Sequence, residues 1–212
     1  MLKFNVITLF PELFNPFIEN LPLKRAIEKK LVQVNLVNLR DFAVDKRGTV
    51  DDKPYGGGTG MILMIEPIYK ALESLPDKGS VLLMTPTGLR FNQDKARTLA
   101  KDSVITIICG RYEGIDARVD TFATDKVSVG NFILSGGELP ALTIMESVVR
   151  LLPGILEKES ALAEESFNED KLEYPQYTRP EEFKGMKVPE TLISGNHKQI
   201  ADWRKKNSKI ID

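Results

Sequence analysis

The stretch SVGNFILSGGELPALT, residues 128–143, decides the fold. Its first half is apolar and reads as a buried strand. Its middle is a double glycine, Gly136-Gly137, and from Glu138 onward the spacing of apolar residues is helical, with Pro140 inside the first turn, where a proline loses no helical hydrogen bond. A strand that meets bare backbone and turns straight into a helix belongs at the carboxyl edge of an α/β sheet, where such sheets hold their ligands.

Working outward, strand-length apolar runs alternate with amphipathic stretches. KFNVITLF precedes LKRAIEKK and VQVNLVNL; SVLLM, VITIIC and KVSVG are separated by EPIYKALESL and QDKARTLAKD. This alternation predicts a mainly parallel sheet with helices on both faces. Pro67, Asn92 and Pro140 mark helix starts, and the helix beginning near Glu138 is expected to be the longest, ending at Pro153-Gly154. Beyond it, EKESALAEESFNEDKLEY (157–174) carries seven acidic and two basic side chains with little apolar periodicity, the composition of a linker that is mobile without ligand. The expected organisation is a ligand-binding domain over 1–156, a flexible acidic linker over 157–172 and a short helical region over 173–212, too small to bury a core of its own.

The 212 residues carry 29 basic and 30 acidic side chains, a net charge of −1, so any contact with nucleic acid depends on local patches. One such patch, Lys198, Arg204, Lys205, Lys206 and Lys209, reads equally as a solvated helix face. The apolar runs fall far short of the roughly 20 residues of a membrane span. With no signal-like N-terminus either, the expectation is a cytoplasmic protein that does not enter membranes. One cysteine and one histidine exclude a disulfide framework and a zinc constellation, so no metal site is expected.

Three glycine-rich segments carry the candidate chemistry. In DDKPYGGGTGM (51–61), Gly56, Gly57, Gly58 and Gly60 form a cradle, a point of close approach or a plain surface turn; neither the P-loop nor the Rossmann spacing is present. CGRYEGIDARVD (109–120) follows the strand VITIIC and sets Arg111, Tyr112 and Glu113 between Gly110 and Gly114; the bland alternative is an ion pair of Arg111 with Glu113 or Asp116. The third is the opening stretch with TPTGL (85–89) as its partner. Three strand ends, at Pro86–Gly88, Gly110–Gly114 and Ser135–Gly137, then converge as backbone-rich loops suited to an adenosine-like, phosphate-free ligand.

Six segments in this order, PYGGGTGM, CGRYEGID, SVGNFILSGGELPA, LEYPQYTRP, VPETLISGNH and ADWRKKNS, resemble the bacterial tRNA (guanine-N1-)-methyltransferase family, whose members are knotted SPOUT methyltransferases. The resemblance spans essentially the whole chain. It implies a trefoil knot in the carboxyl part of the first domain, S-adenosyl-L-methionine as cofactor, tRNA as partner and a homodimer with its active site between chains. It implies methyl transfer to N1 of the guanosine 3′ of the anticodon, position 37. Cofactor contacts carry over to Pro86, Gly88, Gly110, Tyr112, Glu113, Gly114, Ser128, Val129, Leu134, Gly136, Gly137 and Pro140, with Gly136-Gly137 bare to admit the ligand. The RNA would meet Asp51, Gly57, Gly58, Glu173, Ser194, Asn196, Lys198, Arg204 and Lys205. Glu165 takes the place of the general base, and Arg150 that of the cation facing guanine O6, its bland alternative being a pair with Glu146.

The chain departs from the family pattern at Glu165, where many relatives carry aspartate, and at Phe132, where tyrosine is usual. It also stops at Asp212, short of the helical turns that follow in relatives, so the C-terminal region is expected to be a truncated one. The residues leave open a knotted methyltransferase acting on another RNA or on a ribose hydroxyl, and an RNA-binding relative with weakened catalysis. They also leave open whether a divalent ion such as Mg2+ takes part.

Overall fold

In the computed structural model, the described residues are 1–20, 22–156, 165–167 and 171–210; the remainder of the acidic linker expected over 157–172 lies outside them. The chain separates into two compact units, Met1–Ile155 and Leu156–Asp212.

The first unit contains β1 (Leu2–Thr8), α1 (Asn15–Ile18), α2 (Leu23–Glu28), β2 (Val32–Asn38), β3 (Asp51–Asp52), β4 (Ile62–Leu63), α3 (Ile65–Glu73), β5 (Ser80–Arg90), α4 (Gln93–Leu99), β6 (Val104–Cys109), β7 (Asp125–Ser128) and α5 (Glu138–Val149). Five of these strands form one sheet in the order β2-β1-β6-β5-β7, parallel throughout. The central strand β6, VITIIC, is buried along its whole length; its one polar residue, Thr106, donates its hydroxyl to the Lys78 carbonyl at 2.6 Å. Side-chain alternation then divides the core. Phe4, Val6, Leu82, Ile105 and Ile107 pack toward α2, α4 and α5, while Ile7, Leu83 and Ile108 pack toward Ile68 and Leu72 of α3. Helices therefore cover both faces, as the alternating pattern predicts. Asn5 interrupts the apolar register of β1 without cost, because its amide donates to the Asp77 carbonyl and accepts from Asn35.

Asn92 caps α4 by accepting from the Lys95 N–H at 2.9 Å. Three sequence expectations change. The apolar residues of NFIL do not continue a strand: β7 stops at Ser128, and Phe132, Ile133 and Leu134 are 56, 80 and 38% exposed on a loop. The reason is pairing, since β7 is an edge strand whose only sheet neighbour is β5. The segment TPTGL is an excursion within β5 rather than its end. Met84 and Leu89 both pair with Val127, so residues 85–88 leave the ladder and the strand then resumes. Finally, α5 stops at Val149 rather than Pro153, because its end tightens: Leu151 and Leu152 donate three residues back, to Val148 and Val149.

The second unit contains β8 (Lys171–Leu172), β9 (Glu182–Phe183), β10 (Met186–Lys187), α6 (Glu190–Ile193), α7 (His197–Asn207) and β11 (Lys209–Ile210). Lys171 and Leu172, placed in the linker by sequence, pair antiparallel with β11. None of its described residues is buried. What order it has centres on Trp203, met edge-on by Tyr174 at 6.4 Å and Tyr177 at 6.3 Å.

Candidate active site

The carboxyl ends of β5, β6 and β7 are adjacent, and the loops leaving them enclose a cleft of about 520 Å³, a size suited to a small-molecule ligand. Of the expected cofactor residues, Pro86, Gly110, Tyr112, Glu113, Gly114, Ser128, Val129, Leu134, Gly136, Gly137 and Pro140 all line it. Gly88 does not. It packs on the main chain of β7, where a Cβ would run into the Val127 nitrogen and the Lys126 carbonyl carbon, so its bareness serves the strand that resumes at Leu89.

Gly136 and Gly137 are bare for reasons internal to the protein. A Cβ at Gly137 would lie 2.8 Å from both the Cys109 Cα and the Gly110 nitrogen, and the Gly137 N–H donates to the Gly110 carbonyl at 2.8 Å. At Gly136 a Cβ would meet the Glu138 carboxylate and the Arg111 guanidinium. These glycines bring two loops of the cleft together before any ligand is considered. The sequence reading takes their bareness as room for a ligand; in the structure it is already required by the packing of these two loops.

Arg111 pairs with neither Glu113 nor Asp116. Its Nη1 lies 3.6 Å from Glu138 Oε2, and its guanidinium sits 4.5 Å over the Phe10 ring. Asp116 is engaged by Arg118 instead, with Nε–Oδ1 at 2.9 Å and Nη2–Oδ2 at 2.6 Å; these bonds hold the Asp116 carboxyl below its usual range. Cys109, beneath the cleft, has its thiol pushed well up, chiefly by burial and further by the Glu138 charge, so it stays protonated and is no nucleophile. Tyr112 takes φ +58°, a conformation rare for a bulky residue, between Arg111 and Glu113 at the rim.

The glycine-rich segment 51–61 is a hairpin tied to this rim. Asp51 pairs with Leu63, and Gly57 and Gly58 sit exposed at the tip with φ of +83° and +131°. Its returning arm is bound to the loop after β6: Glu113 N–H donates to the Met61 carbonyl at 3.0 Å, Leu63 N–H to Gly114 at 2.9 Å and Asp116 N–H to Leu63 at 3.0 Å. Arg150 is half-buried at the C-cap of α5, its own N–H bonded to the Glu146 carbonyl at 3.1 Å.

In the second unit, Glu165 is half-buried beside Ser166, whose hydroxyl accepts from the Glu173 N–H at 3.0 Å. Ser194 and Asn196 have local work: Ser194 accepts from the Asn196 N–H at 3.2 Å, and Asn196 caps α7 through the Gln199 N–H at 3.3 Å. Lys198, Arg204 and Lys205 are exposed on α7, with Arg204 placed 5.0 Å over the Tyr174 ring. Sequence reasoning missed Thr8, Phe10 and Glu138. The legible signal was Glu138 itself, an acid directly after a double glycine at the head of an otherwise apolar helix. Among the described residues no group of acids, cysteines or histidines is set to hold a metal, and no helix is long and apolar enough to cross a membrane.

An open parallel α/β sheet with a backbone-lined cleft over the carboxyl ends of neighbouring strands defines a class of small-molecule-binding α/β proteins. Within it, the chain belongs to the tRNA (Guanine-1)-methyltransferase TrmD family, whose model matches residues 2–210. It is 50% identical over 209 residues to a tRNA (guanine-N(1)-)-methyltransferase of Dictyoglomus turgidum, spanning 98% of this chain and 85% of that one. The same enzyme of Bacillus subtilis is 49% identical over 212 residues, 98% of this chain and 87% of the relative. The crystal structure of tRNA (m1G37) methyltransferase from Aquifex aeolicus superposes with a TM-score of 0.80 at 44% identity, covering 95% of this chain and 87% of the other.

Proposed function

We propose that the chain is a tRNA (guanine-N1-)-methyltransferase that moves a methyl group from S-adenosyl-L-methionine to N1 of the guanosine 3′ of the anticodon. The observation that carries this reading is the cleft of about 520 Å³ lined by three glycine-rich strand ends in a chain of this family. Main-chain groups of 110–114 and 134–137 suit an adenosine, and the surrounding Pro86, Val129, Leu134 and Pro140 supply apolar contact. Glu113, on the lining, offers a carboxylate to a cationic ligand, whereas the Asp120 carboxylate there is paired with Lys126 at 2.7 Å.

Bound S-adenosylmethionine would supply an electrophilic methyl; the protein has to orient the guanine and take up its N1 proton. Glu165 is the base of this reading. Arg150, at the end of α5, offers its positive charge to the negative charge that develops on O6. Gly57 and Gly58 present the hairpin tip to the RNA and Asp51 its base, and Glu173, Lys198, Arg204 and Lys205 present the second unit. A trefoil knot over the cleft loops belongs to the same reading, and an experimental chain trace checks it.

The test is single-turnover methylation of an unmodified tRNA transcript with labelled cofactor. The parent chain should produce 1-methylguanosine, and Glu165→Gln should lose on the order of 10²–10⁴-fold in rate while still binding cofactor and tRNA. Transfer to a ribose hydroxyl would replace the reading with another knotted methyltransferase. A parental rate in Glu165→Gln would place the base elsewhere.

A further inference from the structure

A buried carboxylate beneath the cleft is left unused by the chemistry above. Glu138, the first residue of α5, has a side chain only 3% exposed. Its Oε1 accepts from the Thr8 hydroxyl at 2.9 Å, and its Oε2 faces Arg111 Nη1 at 3.6 Å. Thr8 Oγ1 in turn accepts from the Phe10 N–H at 3.0 Å, and Phe10 carries the Arg111 guanidinium on its ring. Three segments meet here: the end of β1, the residues just after β6 and the start of α5.

Gly136 is bare where this pair passes, and the main chains of Arg111 and Gly136 form a bridge beside it. The 110–114 and 134–137 loops are thus joined by backbone and clamped by one ion pair whose cation lines the cleft. Desolvation of a buried ion pair offsets most of its attraction, so such a pair is weak ground for stability. An apolar contact would join the loops as firmly; a carboxylate that also engages Thr8 adds direction.

We propose that Glu138 is a positioning residue for the cofactor cleft: by holding Arg111 against Thr8 it sets the spacing of the 110–114 and 134–137 loops and thereby the affinity for S-adenosylmethionine. The inference rests on the cofactor reading above. Glu138→Gln keeps the size of the side chain and the acceptor for Thr8 but removes the charge that holds Arg111.

Calorimetric titration of S-adenosylmethionine into the whole chain should show binding about tenfold weaker in Glu138→Gln than in the parent, the scale of one interaction with a charged group. The single-turnover rate at saturating cofactor should fall by less than the affinity does. Arg111→Gln should lose a comparable amount, and the double variant should lose little more than either single, because both remove the same contact. Amide exchange at 110–114 in the ligand-free Glu138→Gln chain should be faster than in the parent. Parental affinity in Glu138→Gln, additive losses in the double variant, or a rate that falls further than the affinity would each overturn the proposal. Should Glu138→Gln fail to fold, Thr8→Val removes a donor to the same carboxylate and must weaken cofactor binding; parental affinity there would overturn it as well. A parent chain that does not bind S-adenosylmethionine removes the cofactor reading itself, an outcome distinct from parental affinity in the variants.

Discussion

A single methyl group tests how closely the cleft is built. Gly137 has φ −83°, a conformation open to any residue, so the demand for glycine there is one of space alone. With backbone at 2.8 Å on the Cys109 and Gly110 side, Gly137→Ala must push the α5 start away from the 110–114 loop. The expected cost is on the order of 1–3 kcal/mol of stability, as for other overpacked sites, visible as a lower Tm, together with weaker cofactor binding in calorimetry. Parental Tm and affinity would mean that the two loops are free to part. Gly114 differs: its φ is +147° with no heavy atom near a would-be Cβ, so there the backbone conformation makes the demand.

Among the elements, α7 shows how a charged helix is kept in place without a core. Trp203 on one side is flanked by Tyr174 and Tyr177, and Arg204 lies over Tyr174, while Lys205 and Lys206 crowd the last turn, where cations favour the helix dipole. This arrangement leaves Lys198, Arg204 and Lys205 exposed for a polyanion. Filter binding of tRNA over a range of salt should show affinity falling with ionic strength. Arg204→Ala and Lys205→Ala should each weaken binding and reduce the salt slope by about one unit, with cofactor affinity unchanged. Parental tRNA affinity in both variants would return these residues to the role of a solvated face. The β3–β4 hairpin illustrates a second device: bonds from Glu113, Leu63 and Asp116 join its returning arm to the loop after β6 through main-chain groups.

At the scale of the whole molecule, the first unit carries exposed large apolar side chains near the cleft, Phe132, Ile133 and Leu139, at 56, 80 and 57% exposure. Exposed apolar surface next to a ligand cleft is characteristic of an interface. We expect two copies of the chain to cover it, the arrangement implied by the family resemblance. Light scattering at micromolar concentration should give the mass of a dimer, and Ile133→Asp should shift it toward the monomer. A fully active monomer would count against the expectation.

The parallel sheet, the helices on both faces and the glycine-rich loops that meet at the cleft were legible in the sequence alone. Those features are written in short-range signals: strand-length apolar runs, the cap at Asn92, and glycines at the ends of VITIIC and KVSVG. Only the tertiary structure decided what each glycine is for. Nothing local distinguishes Gly88, which packs on β7, from Gly110, which lines the cleft, because the difference depends on β5 resuming its pairing with β7 at Leu89. The partner of Arg111 was equally hidden. Sequence proximity favoured Glu113 or Asp116, whereas the observed partner, Glu138, stands at the head of a helix that only the packing of α5 against β1 and β6 brings near. Hydrophobic periodicity reports which face of an element is buried; it carries no record of which buried polar groups will meet across the core, and here that meeting shapes the cleft.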